Sequence, residues 1–335
     1  MYHARFHGSH YEIGFRWGSQ LATHGNYILN NIPFPVTEDR VRFAEDCLPI
    51  YEEFFPEIVD EIKGIADGQS CDVKLLQGLL FSIYAMPPAC QCSCFAVSNE
   101  NTILFGRNSD FLTAIEKNNL NVMYRFSSGS FSFTRNTTVF VQMEDGVNEK
   151  GLAVGLTSVY PPFIRPGMNA GFLLRFFLEK CSSVDEVVYY LKRLPISSAQ
   201  TFTVADVSGN VAVLESYCNN VVEVRPSKED PYVCATNQFH SAELSSLNNR
   251  KIDDWQAETR YHTLVNFLDA HAKDISLEKA ERLLRGEYGF LSQYDRSTGK
   301  DTVWSVLYDL KHHKIYRSEK NPNRTDYKID KRFLF

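Results

Sequence analysis

The pattern of apolar and polar positions changes once along the chain, near residue 90. Ahead of that point apolar residues recur every three or four positions, the period of a helix buried on one face. Ile13, Trp17 and Leu21 predict a helix over 11–21, and Ile58, Ile62 and Ile65 lie in a helical stretch over 38–73. The apolar run over 75–84 predicts a third helix, stopped by Pro87-Pro88. Beyond residue 90, short apolar runs alternate with polar turns, the signature of hairpins. The predicted pairs are 94–97 with 103–106, 138–142 with 152–157, 201–206 with 211–215, and 303–310 with 314–317. Ser208-Gly209-Asn210 is the clearest turn among them. Helices are predicted over 168–180, 184–194, 253–270 and 277–285, the second opened by the capping-box pattern Ser183-Val184-Asp185-Glu186. Hairpins with helices gathered between them predict an α+β chain, with two antiparallel sheets packed between helical layers.

Composition narrows the class of protein. The 335 residues are 44% hydrophobic and 23% charged, ordinary values for a globular chain and unlike a disordered or fibrous one. A net charge of −6, without long runs of Lys and Arg, gives no electrostatic footprint for nucleic acid. Apolar runs are too short to span a bilayer, and the opening MYHARFHGSHYEIGF is not a signal peptide. Eight cysteines spread through the chain read as reduced thiols, so a cytoplasmic protein is expected. No cofactor and no metal are expected; the partner is a small molecule, and oligomeric state is not legible.

Chemistry concentrates at the change of pattern. Cys90, Cys92 and Cys94 open a strand, and after a short turn the return strand ends in Gly106-Arg107-Asn108-Ser109-Asp110. A hairpin brings its two ends together, which puts Arg107 and Asp110 within reach of Cys92. A guanidinium beside a thiol favours the thiolate. Other readings of the same residues stand beside this one. A cysteine is commonly a small buried apolar residue. C-x-C-x-C can bind metal, although it lacks the paired spacing of zinc sites. Arg107 and Asp110 can form a plain ion pair. A papain-like arrangement with His240 or His262 as base is a further alternative.

Cys92-Ser93-Cys94-Phe95-Ala96, followed by Gly106-Arg107-Asn108-Ser109-Asp110, resembles the opening of the linear-amide hydrolases. Gly8 to Gly18, the hairpin Gly146-Val147-Asn148-Glu149-Lys150-Gly151-Leu152-Ala153, Ala235-Thr236-Asn237-Gln238-Phe239 and Glu258-Thr259-Arg260-Tyr261 fit the narrower peptidase C45 family, typified by isopenicillin-N acyltransferase. The resemblance covers nearly the whole chain. It implies a four-layer αββα N-terminal-nucleophile fold. A leading helical segment, 1–91, would be cut from a catalytic region, 92–335, and stay associated with it as one structural domain.

It also implies roles. Cys92 would be the nucleophile, exposed by autoproteolysis at Gln91–Cys92. Arg107 and Asp110 would orient its sulfur and amine, Asn237 would donate to the oxyanion, and Arg260 would support the site. Asn148 is read as structural, tolerating positive φ in its turn. The reaction would be hydrolysis of a linear amide or acyl transfer through a thioester, with the α-amine as base. Phe111, Tyr160, Phe163 and Phe239 are candidate acyl-pocket walls, with core packing as the alternative. In two places the chain departs from its relatives. Thr157 stands where the bile-salt branch has asparagine, which leaves a second oxyanion donor from that position open. Gln91 stands where the fungal acyltransferase has the more permissive glycine. An uncleaved, non-catalytic binding protein of the same fold is therefore the competing function.

Overall fold

The computed structural model describes residues 1–335 except 33, 87–90, 128 and 219. Pro87-Pro88, expected to stop a helix, and Cys90 of the cysteine run lie outside the described residues.

The first part of the chain is strand β1 (Tyr2–Gly8) and helices α1 (His10–Thr23), α2 (Glu38–Phe54), α3 (Pro56–Gln69) and α4 (Val73–Ser82). Ser9 caps α1 with a complete capping box, accepting from the Glu12 amide while the Glu12 carboxylate returns to the Ser9 amide. The stretch over 38–73 is two helices, broken at Phe55-Pro56, where Pro56 occupies the first position of α3. Helices α1 and α3 meet backbone to backbone. A Cβ on Gly14 would stand 2.1 Å from the Glu61 carbonyl oxygen, and one on Gly64 2.2 Å from that of Tyr11.

The remainder contains strands β2 (Gln91–Ser98), β3 (Ile103–Leu112), β4 (Leu120–Phe126), β5 (Phe133–Thr137), β6 (Asp145–Asn148) and β7 (Ala153–Ser158). Helices α5 (Ala170–Lys180) and α6 (Val184–Leu191) follow, then β8 (Ala199–Ala205), β9 (Val211–Tyr217), β10 (Asn220–Val224) and β11 (Tyr232–Ala235). The chain closes with α7 (Ala257–His271), α8 (Leu277–Leu284), β12 (Lys300–Asp309), β13 (Lys314–Ser318) and β14 (Lys328–Asp330).

The strands form an eight-stranded sheet ordered β1-β4-β5-β6-β7-β8-β9-β10 and a six-stranded sheet ordered β11-β2-β3-β12-β13-β14. Every described pairing between these strands is antiparallel except β1 with β4, which is parallel. Three apolar clusters define the layers. Phe95, Val97 and Leu307 of the six-stranded sheet pack on Leu264 and Leu268 of α7 and Leu283 of α8. Cys94, Ala96, Phe105 and Val306 meet Val147, Ala153 and Val213 across the sheet interface. Val122, Val154 and Phe202 of the eight-stranded sheet pack on Ile62, Leu80, Leu173 and Phe177. The order is therefore helix, sheet, sheet, helix: an α+β fold of four layers, αββα, as expected.

Three local expectations change. Residues 138–142 are not a strand but a turn, whose carbonyls at Phe140 and Gln142 accept from the Arg135 guanidinium at 2.6 and 2.7 Å. The partner of β7 is instead β6. At α6, Ser183 accepts from the Glu186 amide, but the Glu186 carboxylate turns to Ser182, so the box is only half formed. Asn148 is structural as expected, but not through positive φ, which falls at Gly151 (φ 77°). It accepts from the amides of Lys150 and Leu152 and donates to the carbonyls of Leu178 and Cys181.

Candidate active site

Strand alternation sorts the hairpin residues onto two faces. In the β2–β3 register Cys92 lies opposite Ser109, Cys94 opposite Arg107, and Gln91 opposite Asp110. Cys92, Cys94, Arg107 and Ser109 face the eight-stranded sheet; Gln91, Ser93 and Asp110 face the helices α7 and α8. Gly155 of β7 makes room for the first set: a Cβ there would stand 3.0 Å from both the Cys94 sulfur and the Arg107 Cδ.

Arg107 is fully buried and fixed at each nitrogen. Nε donates to the Leu156 carbonyl at 3.1 Å, Nη1 to Asp145 Oδ2 at 2.9 Å, and Nη2 to Cys92 Sγ at 2.7 Å. Asp145 is held in turn by Asn136 Nδ2 at 2.5 Å, Trp304 Nε1 at 2.8 Å and the Tyr308 hydroxyl at 2.9 Å. Glu144 Oε2 lies 3.7 Å from Arg107 Nη2 and accepts from Ser109 Oγ at 3.0 Å. The guanidinium thus has a single orientation, aimed at the sulfur.

The other face is built around Arg260, which projects from α7. Its Nη1 donates to the Cys92 carbonyl at 2.6 Å and to Ser93 Oγ at 3.0 Å, and its Nη2 donates to Asn237 Oδ1 at 3.0 Å. Asn237 Oδ1 also accepts from the Cys92 backbone N–H at 2.8 Å, and Nδ2 donates to the Ser158 carbonyl at 2.8 Å. Asp110 Oδ1 accepts from Thr302 Oγ1 at 2.6 Å, Oδ2 accepts from the Tyr294 hydroxyl at 3.0 Å, and Arg260 Nη1 stands 3.7 Å away.

Electrostatics departs from expectation at the thiol. Cys92 is 2% exposed, and burial pushes its thiol up to about 12 against the pull of Arg107. Arg107 does favour the thiolate, but desolvation outweighs it. Burial also raises the Asp110 carboxyl to about 6, although Arg260, Thr302 and Tyr294 all pull the other way.

The structure therefore gathers Cys92 with Arg107, Asn237 and Arg260. Asp110 joins through Arg260 and through its place opposite Gln91. Gln91 lies in regular strand pairing, outside the positive-φ residues, and its Oε1 is buried without a hydrogen-bond partner. Thr157 Oγ1 bonds to the Thr236 carbonyl at 2.7 Å and shares a short bond with Thr201, so its hydroxyl is already engaged. His240 stacks on Tyr261 with ring centres 3.4 Å apart, and His262 pairs with Glu258 on the surface, which leaves the papain-like alternative without a base at Cys92. Among the described residues no group of His, Cys, Asp or Glu is arranged to hold a metal. Of the candidate pocket walls, Phe111 and Phe239 are core residues, whereas Tyr160 and Phe163 are exposed. Asp145, Glu144, Tyr294 and Thr302 escaped the sequence reading. Glu144 and Asp145 stand side by side just ahead of the Gly146–Ala153 motif, but nothing local ties them, Tyr294 or Thr302 to the Cys92 hairpin.

The chain has relatives among known proteins. A family described as acyl-coenzyme A:6-aminopenicillanic acid acyl-transferase matches residues 97–324, which include Arg107, Asp110, Asn237 and Arg260. A Caenorhabditis elegans N-acylethanolamine-hydrolyzing acid amidase ortholog is similar at 15% identity and TM-score 0.48, over 66% of this chain and 93% of its own. A mutant conjugated bile acid hydrolase from Clostridium perfringens is similar at 15% identity and TM-score 0.48, over 72% and 97%. Penicillin V acylase from Agrobacterium tumefaciens is similar at 14% identity and TM-score 0.47, over 68% and 82%. The family match spans more than half of the chain, and the protein belongs to the acyl-coenzyme A:6-aminopenicillanic acid acyl-transferase family, peptidase C45.

Proposed function

We propose that Cys92 is the nucleophile of this amide hydrolase or acyltransferase, and that it is released as a new N-terminal residue by cleavage of Gln91–Cys92. The observation that carries the reading is the 2.7 Å donation from Arg107 Nη2 to Cys92 Sγ, with Arg107 itself pinned on Asp145. In the uncut chain the Cys92 nitrogen is an amide and cannot accept a proton. Cleavage turns it into an α-amine with an ordinary pKa of about 7.7–8.0, a base positioned on the same residue as the thiol.

The thiolate attacks an amide carbonyl, and Asn237 Nδ2 donates to the developing oxyanion, its carboxamide held by Arg260 on Oδ1. Arg260 also holds the Cys92 carbonyl, and Asp110 supplies a carboxylate for the new ammonium group. Water or an amine then resolves the thioester. Segment 1–91 stays bound after the cut, a reading supported by the pairing of β1 with β4 and by the buried bonds of Glu61 to Arg175. The seven described cysteines are all unpaired, which supports a reducing, cytoplasmic setting.

Intact-mass spectrometry of wild type and Cys92→Ala tests the proposal. Wild type resolves into chains 1–91 and 92–335, and Cys92→Ala stays whole. A screen of N-acyl amino acids, acyl amines and penicillin V for released amine then finds the substrate. Wild type that stays whole and releases no amine overturns the reading in favour of an uncut binding protein.

A further inference from the structure

From the residues around the uncut bond we infer that Ser109 and Glu144 together form the proton acceptor for the maturation step. The inference rests on the cleavage proposed above. The base of the mature enzyme, the α-amine of Cys92, does not exist until the bond is cut, so the first deprotonation of the thiol needs a different acceptor. Three buried carboxylates surround the site. Asp145 already accepts from Arg107, Asn136, Trp304 and Tyr308, which fills both of its oxygens. Asp110 lies on the helix-facing side of β3, with one oxygen on Thr302 and the other on Tyr294.

Glu144 is the third. Its Oε1 is tied to the backbone N–H and hydroxyl of Thr138, at 3.0 and 2.7 Å, which fixes the carboxylate. Its Oε2 accepts from Ser109 Oγ at 3.0 Å and lies 3.7 Å from Arg107 Nη2, the nitrogen that donates to Cys92 Sγ at 2.7 Å. Ser109 is the cross-strand partner of Cys92, and directly opposed side chains on one face stand about 4.5–5.5 Å apart at Cβ. Thiol and carboxylate therefore share one guanidinium nitrogen, the Ser109 hydroxyl sits on that carboxylate and across the strand pair from the thiol, and both Ser109 and Glu144 are closed to water.

The proton of the Cys92 thiol passes to Ser109 Oγ as the Ser109 proton passes to Glu144 Oε2. The thiolate adds to the Gln91 carbonyl carbon. The carbon–nitrogen bond breaks, and the proton returns from Glu144 through Ser109 to the leaving nitrogen, giving a thioester and a free α-amine. Water then cleaves the thioester, leaving the Gln91 carboxylate and the Cys92 thiol.

The test follows loss of the full-length mass after cell-free synthesis of wild type, Ser109→Ala, Ser109→Thr and Glu144→Gln. Expected are cleavage of wild type, slowing of about 10²-fold in Glu144→Gln and at least about tenfold in Ser109→Ala, and near wild-type cleavage in Ser109→Thr. Ser109→Ala decides the matter, because it keeps both Thr138 bonds to Glu144, and recovery in Ser109→Thr separates the hydroxyl from a packing role. Cleavage of Ser109→Ala at the wild-type rate overturns the inference and leaves the proposed function intact. Wild type that is never cut overturns both.

Discussion

Arg107 and Arg175 are both fully buried, and each meets two carboxylates, yet they sit in different parts of the chemistry. Arg175 binds Glu61 through both terminal nitrogens and Glu179 Oε1 through Nε at 2.7 Å, and the other Glu179 oxygen lies 2.8 Å from His10 Nε2. Glu61 and His10 come from the leading segment, Arg175 and Glu179 from α5, so this cluster ties the two parts together. At Arg107 the carboxylates come from β6 and the residue before it, and the remaining terminal N–H reaches a sulfur. Both guanidinium groups are held protonated despite desolvation, Arg107 by Cys92, Asp145 and Glu144, Arg175 by Glu61 and Glu179. A buried arginine with two carboxylates is thus no mark of function by itself. The mark is the thiol, our proposed nucleophile, that shares the cluster.

The largest expected effect separates the two arginines. Arg107→Met should lower Gln91–Cys92 cleavage and turnover by about 10²–10³-fold or more, as for loss of a fixed donor in a dry site. It should also destabilise the fold, because Asp145 is left buried with its countercharge removed. Arg175→Leu should cost about 3–5 kcal/mol in a urea titration for the same reason. Turnover per folded molecule should stay near wild type. Replacing Glu61, Arg175 and Glu179 together by apolar residues should recover most of that stability, since a well-packed apolar set rivals a buried ion cluster. If Arg175→Leu abolishes turnover per folded molecule as Arg107→Met does, the contrast between the two clusters fails.

How much of each cluster can be read in advance follows from chain distance. Cys92 and Arg107 are 15 residues apart on one hairpin, and strand alternation alone brings them together. Asn237 and Arg260 were legible only through their motifs. Asp145 joins Arg107 from another sheet, and Thr302 reaches Asp110 across 192 residues, so no local pattern announces either. Strand β1 was missed for the same reason: Tyr2 pairs with Leu120 in a parallel ladder, and parallel partners have no connecting turn to signal them. Residues 138–142 misled in the opposite sense. Their apolar run suits a strand, but Arg135 binds two of its carbonyls and folds it into a turn, a tertiary contact that overrides the local pattern.

A smaller effect tests whether the leading segment is a rigid unit that Arg175 merely fastens. Helices α1 and α3 touch through glycines, and a methyl group on Gly64 would press on the Tyr11 carbonyl oxygen rather than on a side chain able to move. Gly64→Ala should therefore cost about 1–3 kcal/mol despite its better helix propensity. The loss should appear in thermal melts of the whole chain and leave the cleavage rate of the folded fraction unchanged. Unchanged or increased stability would mean that the two helices separate freely.

The smallest effect is a difference in sign with pH. Burial raises Asp110 to about 6 from an ordinary 3.8, so between those values the folded chain keeps a proton that the unfolded chain has lost. Its contribution to stability falls as pH rises through that window. At Glu179 burial alone would raise the carboxyl, but Arg175 and His10 overcome it and hold the group near 2, below its ordinary 4.5. There the unfolded chain binds the extra proton, and stability is lost as pH falls from about 4.5 toward 2. Asp110→Asn should flatten the stability profile between pH 5 and 6, by about 1 kcal/mol, and leave the acid limb in place. Glu179→Gln should do the reverse, making the acid limb below about pH 4.5 shallower by Glu179's share while the fall between pH 5 and 6 stays. Urea midpoints measured from pH 3 to 7 distinguish the two. A common response of both variants would mean that the active-site carboxylate and the fastening carboxylate titrate as one network instead of two.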